Sequence, residues 1–325
     1  MRVLVVGGAG YVGSHAAKRL AREGHSVFVL DDLSTGHREL ARYGELIEGT
    51  VLSEADVAAA LEKALPDCVM HFAARALVGE SMENPALYYQ VNVQGSMNLF
   101  DAVRRLRPGA KLVFSSTCSL YGDAGGRLDE SLPLRPVNPY GTTKKLVEDL
   151  LRDYSRAYGM RSVCLRYFNA AGADSEGELG EIHEPETHLI PRLLRAHKHG
   201  AIGDFRIHGG DYPTRDGTCV RDYIHVEDLA DAHVRAMDYL LRGGGTDVFN
   251  LGTEKGSSVL EVARAVERAT GARLDLSTGP RRAGDPAELV AVSEKAGRVL
   301  GWRARHDLDS VVRSAWAFIE KHPRL

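Results

Sequence analysis

The chain has 325 residues, 44% of them hydrophobic and 26% charged, with a formal net charge of -3. That length suits one large domain plus a smaller one, in an ordinary globular composition. The balanced charge, with no long Lys/Arg run, excludes the basic footprint that nucleic acid or an anionic membrane requires.

Val3 to Val6 reads as a buried parallel strand that meets glycine at once. No signal-peptide core or membrane span is therefore expected, and the protein is placed in the cytoplasm. Gly7, Gly10 and Gly13 then open a helical pattern through Leu20 and Arg22. In a strand, glycine turn and helix, Gly7 permits the tight turn, Gly10 lets a pyrophosphate approach the helix N-terminus, and Gly13 packs helix on strand. The next strand, Ser26 to Leu30, ends in Asp31 and Asp32. A carboxylate about twenty residues past the glycines suits an adenosine ribose and repels a 2'-phosphate, which favours NAD over NADP.

A helix over Glu54 to Ala64, a strand over Cys68 to Phe72, a helix around Val91 to Leu106 and a strand over Lys111 to Ser115 continue the alternation. Alternating units imply an α/β, doubly wound parallel sheet (Rossmann) whose ligands lie beyond the carboxyl ends of the strands. The run His71-Phe72-Ala73-Ala74 ends one strand where a nicotinamide is expected. Ser115, Ser116 and Thr117 bring hydroxyls to the same edge. Cys68, Cys118, Cys164 and Cys219 are scattered singly, which predicts reduced and mostly buried thiols rather than a zinc site or a disulfide scaffold.

Asn138 is a good N-cap and Pro139 fits the first helical position, so a helix is expected from Pro139 to Tyr158. Leu146, Leu150, Leu151 and Tyr154 supply its apolar side. Tyr140 and Lys144 then share one face of its first turns. A free tyrosine, with a pKa near ~10, is a poor base at neutral pH; a neighbouring cation favours the phenolate. Lys144 is the expected cation.

Arg161 to Asn169 reads as another strand, after which Ala170 to Glu186 loses periodicity and reads as a loop leading out of the nucleotide domain. His183 and His188, with glutamates nearby, match no ligand helix and are expected to be solvated loop residues, with no metal. A helix from Leu189 to His199, a short strand from Phe205 to His208, a long helix to Leu241 and a buried strand from Val248 to Leu251 follow. The return to βα rhythm suggests that the chain rejoins the large sheet. Helices from Ser258 to Thr270 and from about Leu308 to His322 complete the chain. The expected division is a nucleotide-binding domain over 1–169 with a return segment about 222–252, and a smaller α/β C-terminal domain over 170–221 and 253–325.

The glycine spacing, the acid after the second strand, Thr117 at a strand end and the downstream Tyr140/Lys144 pair together resemble the extended short-chain dehydrogenase/reductase family. The resemblance covers essentially the whole chain. Arg166-Tyr167-Phe168-Asn169, Asp211-Tyr212-Pro213-Thr214, Arg221 to Val226 and Arg281 to Asp285 sharpen it toward the members that epimerise UDP-hexoses at C4. It implies tightly bound NAD, Tyr140 as base toward the sugar 4-hydroxyl, Lys144 on the nicotinamide ribose, and Thr117 on the 4-oxygen. Tyr11, Val12, Thr50, Val51, Phe72, Ala73, Ala74, Asn92 and Phe168 would line the cofactor. Asn169, Leu189, Ile207, His208, Arg221, Arg282, Asp285 and Leu289 would hold the UDP-sugar, the arginines meeting its diphosphate or nucleotide. For Arg221 and Arg282 the alternative is an interdomain salt bridge with Asp222 or Asp285. The resemblance also implies a homodimer joined through the helix around Val91 to Leu106 and the one carrying Tyr140.

Dehydratases and decarboxylases of the family carry an acid just after the strand-end threonine, where this chain has Cys118 and Ser119, which favours simple epimerisation. Ala76 and Thr50 stand where familiar epimerases have a lysine and an aspartate near the cofactor. Leu289 replaces a bulky tyrosine that limits the sugar pocket, so UDP-N-acetylhexosamines are expected substrates beside UDP-glucose and UDP-galactose, and UDP-pentoses are an alternative. Two rival readings are a net oxidoreductase that releases a 4-keto sugar with reduced NAD, and a non-catalytic NAD-binding sensor. The intact Tyr140, Lys144 and Thr117 set argues against the sensor.

Overall fold

The computed structural model describes residues 1–201, 205–281 and 285–322. Seven parallel strands form its main sheet: β1 (Arg2–Val6), β2 (Ser26–Asp31), β3 (Glu45–Glu48), β4 (Cys68–His71), β5 (Lys111–Thr117), β6 (Ser162–Tyr167) and β7 (Asp247–Leu251). Their order is β7-β6-β5-β4-β1-β2-β3. The chain thus winds outward from β1 in one direction and from β4 in the other, and the crevice between these two strands is the switch point where such sheets bind ligands.

Side chains of β1 alternate between two cores, Val3 and Val5 on one face and Leu4 and Val6 on the other. Being fully covered on both faces is why this strand is a continuous apolar run. Helix α1 (Tyr11–Arg22) covers the first face together with the long helix from Val226 to Leu241; helices α2 (Gly95–Leu106) and α3 (Pro139–Tyr158), with the helix Glu54–Ala64, cover the second. The ends of α3 are set locally. Asn138 Oδ1 accepts the Gly141 amide at 2.8 Å, and Gly159, at φ +70°, stops the helix in the left-handed region. Inside, α3 and β6 share a buried ion pair: Arg166 Nε donates to Glu148 Oε1 at 2.9 Å, and the Ser116 hydroxyl donates to the same oxygen at 2.6 Å.

A second body of structure carries the four-stranded sheet Ser257–Ser258, Val220–Arg221, Glu288–Ala291 and Gly126–Leu128, in that order. Helices Leu189–Lys198, Val259–Thr270 and Leu308–Lys321 pack into a separate core. Asp222 ties it to the end of β7. Its buried carboxylate accepts the Thr253 amide at 2.8 Å and the Glu254 amide at 3.1 Å just past β7, and the Ala291 amide at 3.2 Å.

Where structure and sequence reading differ, the cause is length. The strand expected over Arg161 to Asn169 breaks at Phe168, and Asn169–Ala171 pairs instead with Tyr223–His225. The helix expected from Val91 starts as a π-helical turn over Tyr89–Gln94. Strands Glu45–Glu48, Gly126–Leu128 and Glu288–Ala291 are too short for a period-two pattern to show. Among the described residues no helix is long and apolar enough to cross a membrane.

Candidate active site

The catalytic candidates sit at the carboxyl edge of β5, beside the start of α3. Asn138 and Pro139 fix where the helix begins, and Gly141 lets it come close: a Cβ there would lie 2.8 Å from the Ser119 carbonyl oxygen. Packed so tightly against the turn after β5, Tyr140 is brought beside Thr117, which favours its phenolate. Thr117 Oγ1 is itself oriented by the Ser119 amide, which donates to it at 3.1 Å. Tyr88 meets the Tyr140 ring edge-on at 6.5 Å.

Burial dominates the electrostatics. It pushes the Tyr140 phenol well above its ordinary value, outweighing neighbouring Thr117, which favours the phenolate. It also pulls the Lys144 ammonium down to about 7. Lys144 Nζ donates to the Ser115 carbonyl at 2.8 Å and lies 4.8 Å from the Phe114 ring centroid. Lys144 thus commits one of its three donors to the β5 backbone, and burial outweighs what favours the Tyr140 phenolate.

At the switch point the glycines form a cradle for a dinucleotide. Gly7 has φ +83°, and a Cβ on it would lie 2.4 Å from the Ala73 amide nitrogen; one on Gly13 would lie 2.2 Å from the Gly7 carbonyl. A Cβ on Gly10 would meet only that carbonyl, at 3.4 Å, so the approach to the helix end is open. Gly10 caps α1 without a side-chain hydrogen bond, and the first turn has no acid, which leaves its N–H groups and dipole available to a phosphate. Asp31 stands beside this loop, its Oδ2 accepting the Ala9 amide and its Oδ1 the Leu33 amide, each at 2.9 Å. Asp32 is exposed and accepts the Ser34 amide. These features fit NAD.

The other cofactor candidates surround that crevice. Phe72, Ala73 and Ala74 follow β4, and the Phe72 ring packs on His233 at 4.6 Å. Thr50 and Val51 follow β3, with Val51 against Gly95 at the start of α2. Tyr11 donates to the Gly172 carbonyl at 2.6 Å, Val12 packs on the first core, and Phe168 is buried near Tyr121. Asn92 is a clamp rather than a free contact. Its amide accepts from the Arg75 nitrogen at 2.8 Å and donates to the Arg75 carbonyl and to Thr143, both at 3.0 Å, so all of it is used to hold the loop after β4 on α3.

Of the substrate candidates, Arg221 and Asp285 are brought together, Nη2 to Oδ1 at 2.7 Å, and Arg221 also donates to the Pro286 carbonyl. Asp222 turns away from Arg221 into the hub described above. Leu289 is register partner to Arg221. Asn169 donates to the Asp222 carbonyl at 3.1 Å. Leu189 opens its helix, and Ile207 and His208 lie in the strand Arg206–His208, paired with Ser277–Gly279. Arg282 lies outside the described residues. Its neighbour Arg281, not singled out from sequence, grips Asp211 at 2.7 Å and covers the Tyr212 ring at 4.3 Å. Glu148 and Asp222 were missed as well, since each acts through partners far along the chain. Cys68, Cys164 and Cys219 are buried and in no disulfide; Cys118 is partly exposed and pushed up to about 12 by burial.

Residues 3–252 match the family described as NAD dependent epimerase/dehydratase. The chain belongs to that family. It is 48% identical over 318 residues to a UDP-glucose 4-epimerase of Rhizobium meliloti, covering 97% of this chain and 95% of that one. The solved UDP-glucose 4-epimerase of Brucella ovis, in complex with NAD, superposes with a TM-score of 0.93 at 48% identity and 97% coverage of both chains. That of Bifidobacterium longum, in complex with NAD+ and UDP, gives 0.92 at 34% identity, covering 99% of each chain.

Proposed function

We propose that the protein catalyses the 4-epimerisation of UDP-hexoses, interconverting UDP-glucose and UDP-galactose with tightly bound NAD. The observation that carries this reading is the juxtaposition of Tyr140 with Thr117 at the edge of β5, with Lys144 one turn along the same helix and its ammonium on the Ser115 carbonyl of that strand. Gly7, Gly10, Gly13 and Asp31 would hold the dinucleotide. NAD, when bound there, would supply an acceptor for the C4 hydride, and its cationic nicotinamide ring would favour the Tyr140 phenolate.

Tyr140 then takes the 4-hydroxyl proton and returns it, while Thr117 holds the 4-oxygen in line with the phenol. Lys144 anchors α3 to β5 and offers its remaining N–H donors to the nicotinamide ribose. Asn169, Leu189, Ile207, His208, Arg221, Arg282 and Asp285 would grip UDP, remote from C4. With the nucleotide anchored there, the keto sugar is free to turn over. Cys118 and Ser119 offer no carboxylate beside Thr117, so the site lacks the acid that elimination needs.

Residues 1–169 with 222–252 would form the nucleotide half, and the remainder the sugar half. Met97, Leu146 and Tyr158 are exposed apolar side chains on α2 and α3, which suits a homodimer joined through these helices. A cytoplasmic location follows from the proposed reaction. Conversion of UDP-galactose by purified protein, with no NAD added, is expected for wild type and lost in Tyr140→Phe. No conversion by wild type, even with NAD supplied, would refute the reading.

Leu289 beside Arg221 favours a wider substrate range. A tyrosine at this place would project further toward the sugar, so UDP-N-acetylglucosamine is expected to turn over in wild type and slow in Leu289→Tyr. Equal rates would remove Leu289 as a gate.

A further inference from the structure

Among the described residues, three groups of acidic and imidazole side chains bring ligand atoms within 4.8 Å of one another. In two of them those atoms are already engaged. Asp174, Glu176 and Glu178 close on the Lys18 ammonium, each at 2.7 Å. His225 is bound through Nε2 to Ser314 and through Nδ1 to the Glu227 amide. The third group is Glu181, His183, Glu186 and His188, which the sequence spacing left as loop residues.

We propose that these four side chains form a binding site for one first-row divalent cation, zinc above all. Glu181 Oε1 lies between the two imidazoles, accepting from His188 Nδ1 and standing 3.0 Å from His183 Nδ1. His183 Nδ1 is buried and makes no hydrogen bond there. The Glu186 side chain is only 6% exposed, its Oε1 3.9 Å from both Nδ1 atoms and its Oε2 without a hydrogen-bond partner. Glu186 Oε1 also accepts the His188 amide at 2.8 Å, which holds this carboxylate at the cluster, and a buried carboxylate oxygen and a buried imidazole nitrogen without hydrogen bonds are costly unless something completes them.

Two imidazoles and two carboxylates are a zinc-type donor set. Donors bound at ~2.0–2.2 Å in a tetrahedron stand about 3.4 Å apart, so occupation needs Glu186 to close in by about half an ångström and His188 to part from Glu181 by about one, which an exposed loop side chain can do. Arg195 Nη2, 3.8 Å from Glu186 Oε2, is the neighbouring cation. Two carboxylates and one guanidinium still leave a single negative charge for the ion, and half-exposed His188 gives it a path in.

The site would clip a loop that has little regular structure. His183 meets the Tyr11 ring edge-on at 6.4 Å, and His188 immediately precedes Leu189. An ion there would couple the start of α1 to the segment assigned to the UDP-sugar, a consequence that rests on the function proposed above, whereas the ligand set does not.

The test uses the purified full chain with its NAD, stripped by a chelator and titrated with zinc alone by calorimetry, then with cobalt while its visible absorption is followed. One ion per chain is expected, with a tetrahedral cobalt spectrum. In His183→Ala/His188→Ala both are lost. Glu186→Gln, which keeps the shape of the loop, weakens zinc by at least about tenfold, and circular dichroism with the NAD content checks that each variant is folded. No saturable zinc binding by wild type, or unchanged affinity in Glu186→Gln and the double variant, would overturn the site.

Discussion

The Lys144 ammonium donates to the Ser115 carbonyl at 2.8 Å, two residues before Thr117 and from the same helix that carries Tyr140. A charge held this deep is disfavoured, and the group is pulled down to about 7. Between about pH 7 and its ordinary value near ~10.4 the unfolded chain keeps a proton that the folded chain has shed, so this lysine makes stability rise with pH across that window. Lys144→Met should flatten the rise by about one proton and lower kcat by about 10²–10⁴. Urea midpoints from pH 7 to 10, measured beside turnover, check both.

Gly141→Ala puts a methyl group 2.8 Å from the Ser119 carbonyl, which is backbone and cannot swing aside. The start of α3 must then move, and the Tyr140 phenol with it. A displacement near 1 Å costs about a hundredfold in rate. The expected result is a kcat loss of that order with NAD content unchanged; full activity would show that the close approach is not needed.

Glu148 and Arg166 form an ion pair in which both side chains are almost entirely covered, at 1% and 5% exposure. Removing one partner strands the other. Glu148→Ala is therefore expected to cost about 3–5 kcal/mol in unfolding free energy, far more than loss of an exposed pair. Chemical denaturation of the two proteins measures it.

Burial keeps His15 and His233 neutral, pulled down to about 4, and His71 and His225, pulled down to about 3. Unfolded, they charge near ~6.5. Their contribution is complete above that value and is lost as the pH falls toward about 4, because the unfolded chain binds the extra protons. His233→Phe, in a site between Phe72 and Tyr167, should make the loss between pH 6.5 and 4.5 shallower by about one proton, read from denaturation midpoints.

What could be read in advance was whatever local chemistry determines. Asn138 with Pro139 announces its helix because the capping bond is made within one turn. The glycine cradle was legible for the same reason: Gly7, Gly10 and Gly13 answer to steric demands a few residues away. Asp222 was not. Its carboxylate gathers amides from Thr253, Glu254 and Ala291, which no periodicity connects. Lys144 shows the limit most sharply. Its spacing from Tyr140 was visible, yet the group that receives its ammonium is a carbonyl on β5, and the burial that dominates the phenol has no signature in the spacing. His183 and His188, with glutamates nearby, read as solvated loop residues because a loop, not a helix, brings them together.

The most direct test of the central claim uses UDP-galactose carrying deuterium at C4, incubated with purified protein in ordinary water without added NAD. The product is read by mass spectrometry and NMR. Deuterium kept at C4 of UDP-glucose is the predicted result, since the hydride leaves and returns within one closed site while only the Tyr140 proton exchanges. Deuterium washed into solvent, or trapped in a released reduced cofactor beside a 4-keto sugar, would contradict epimerisation by this site.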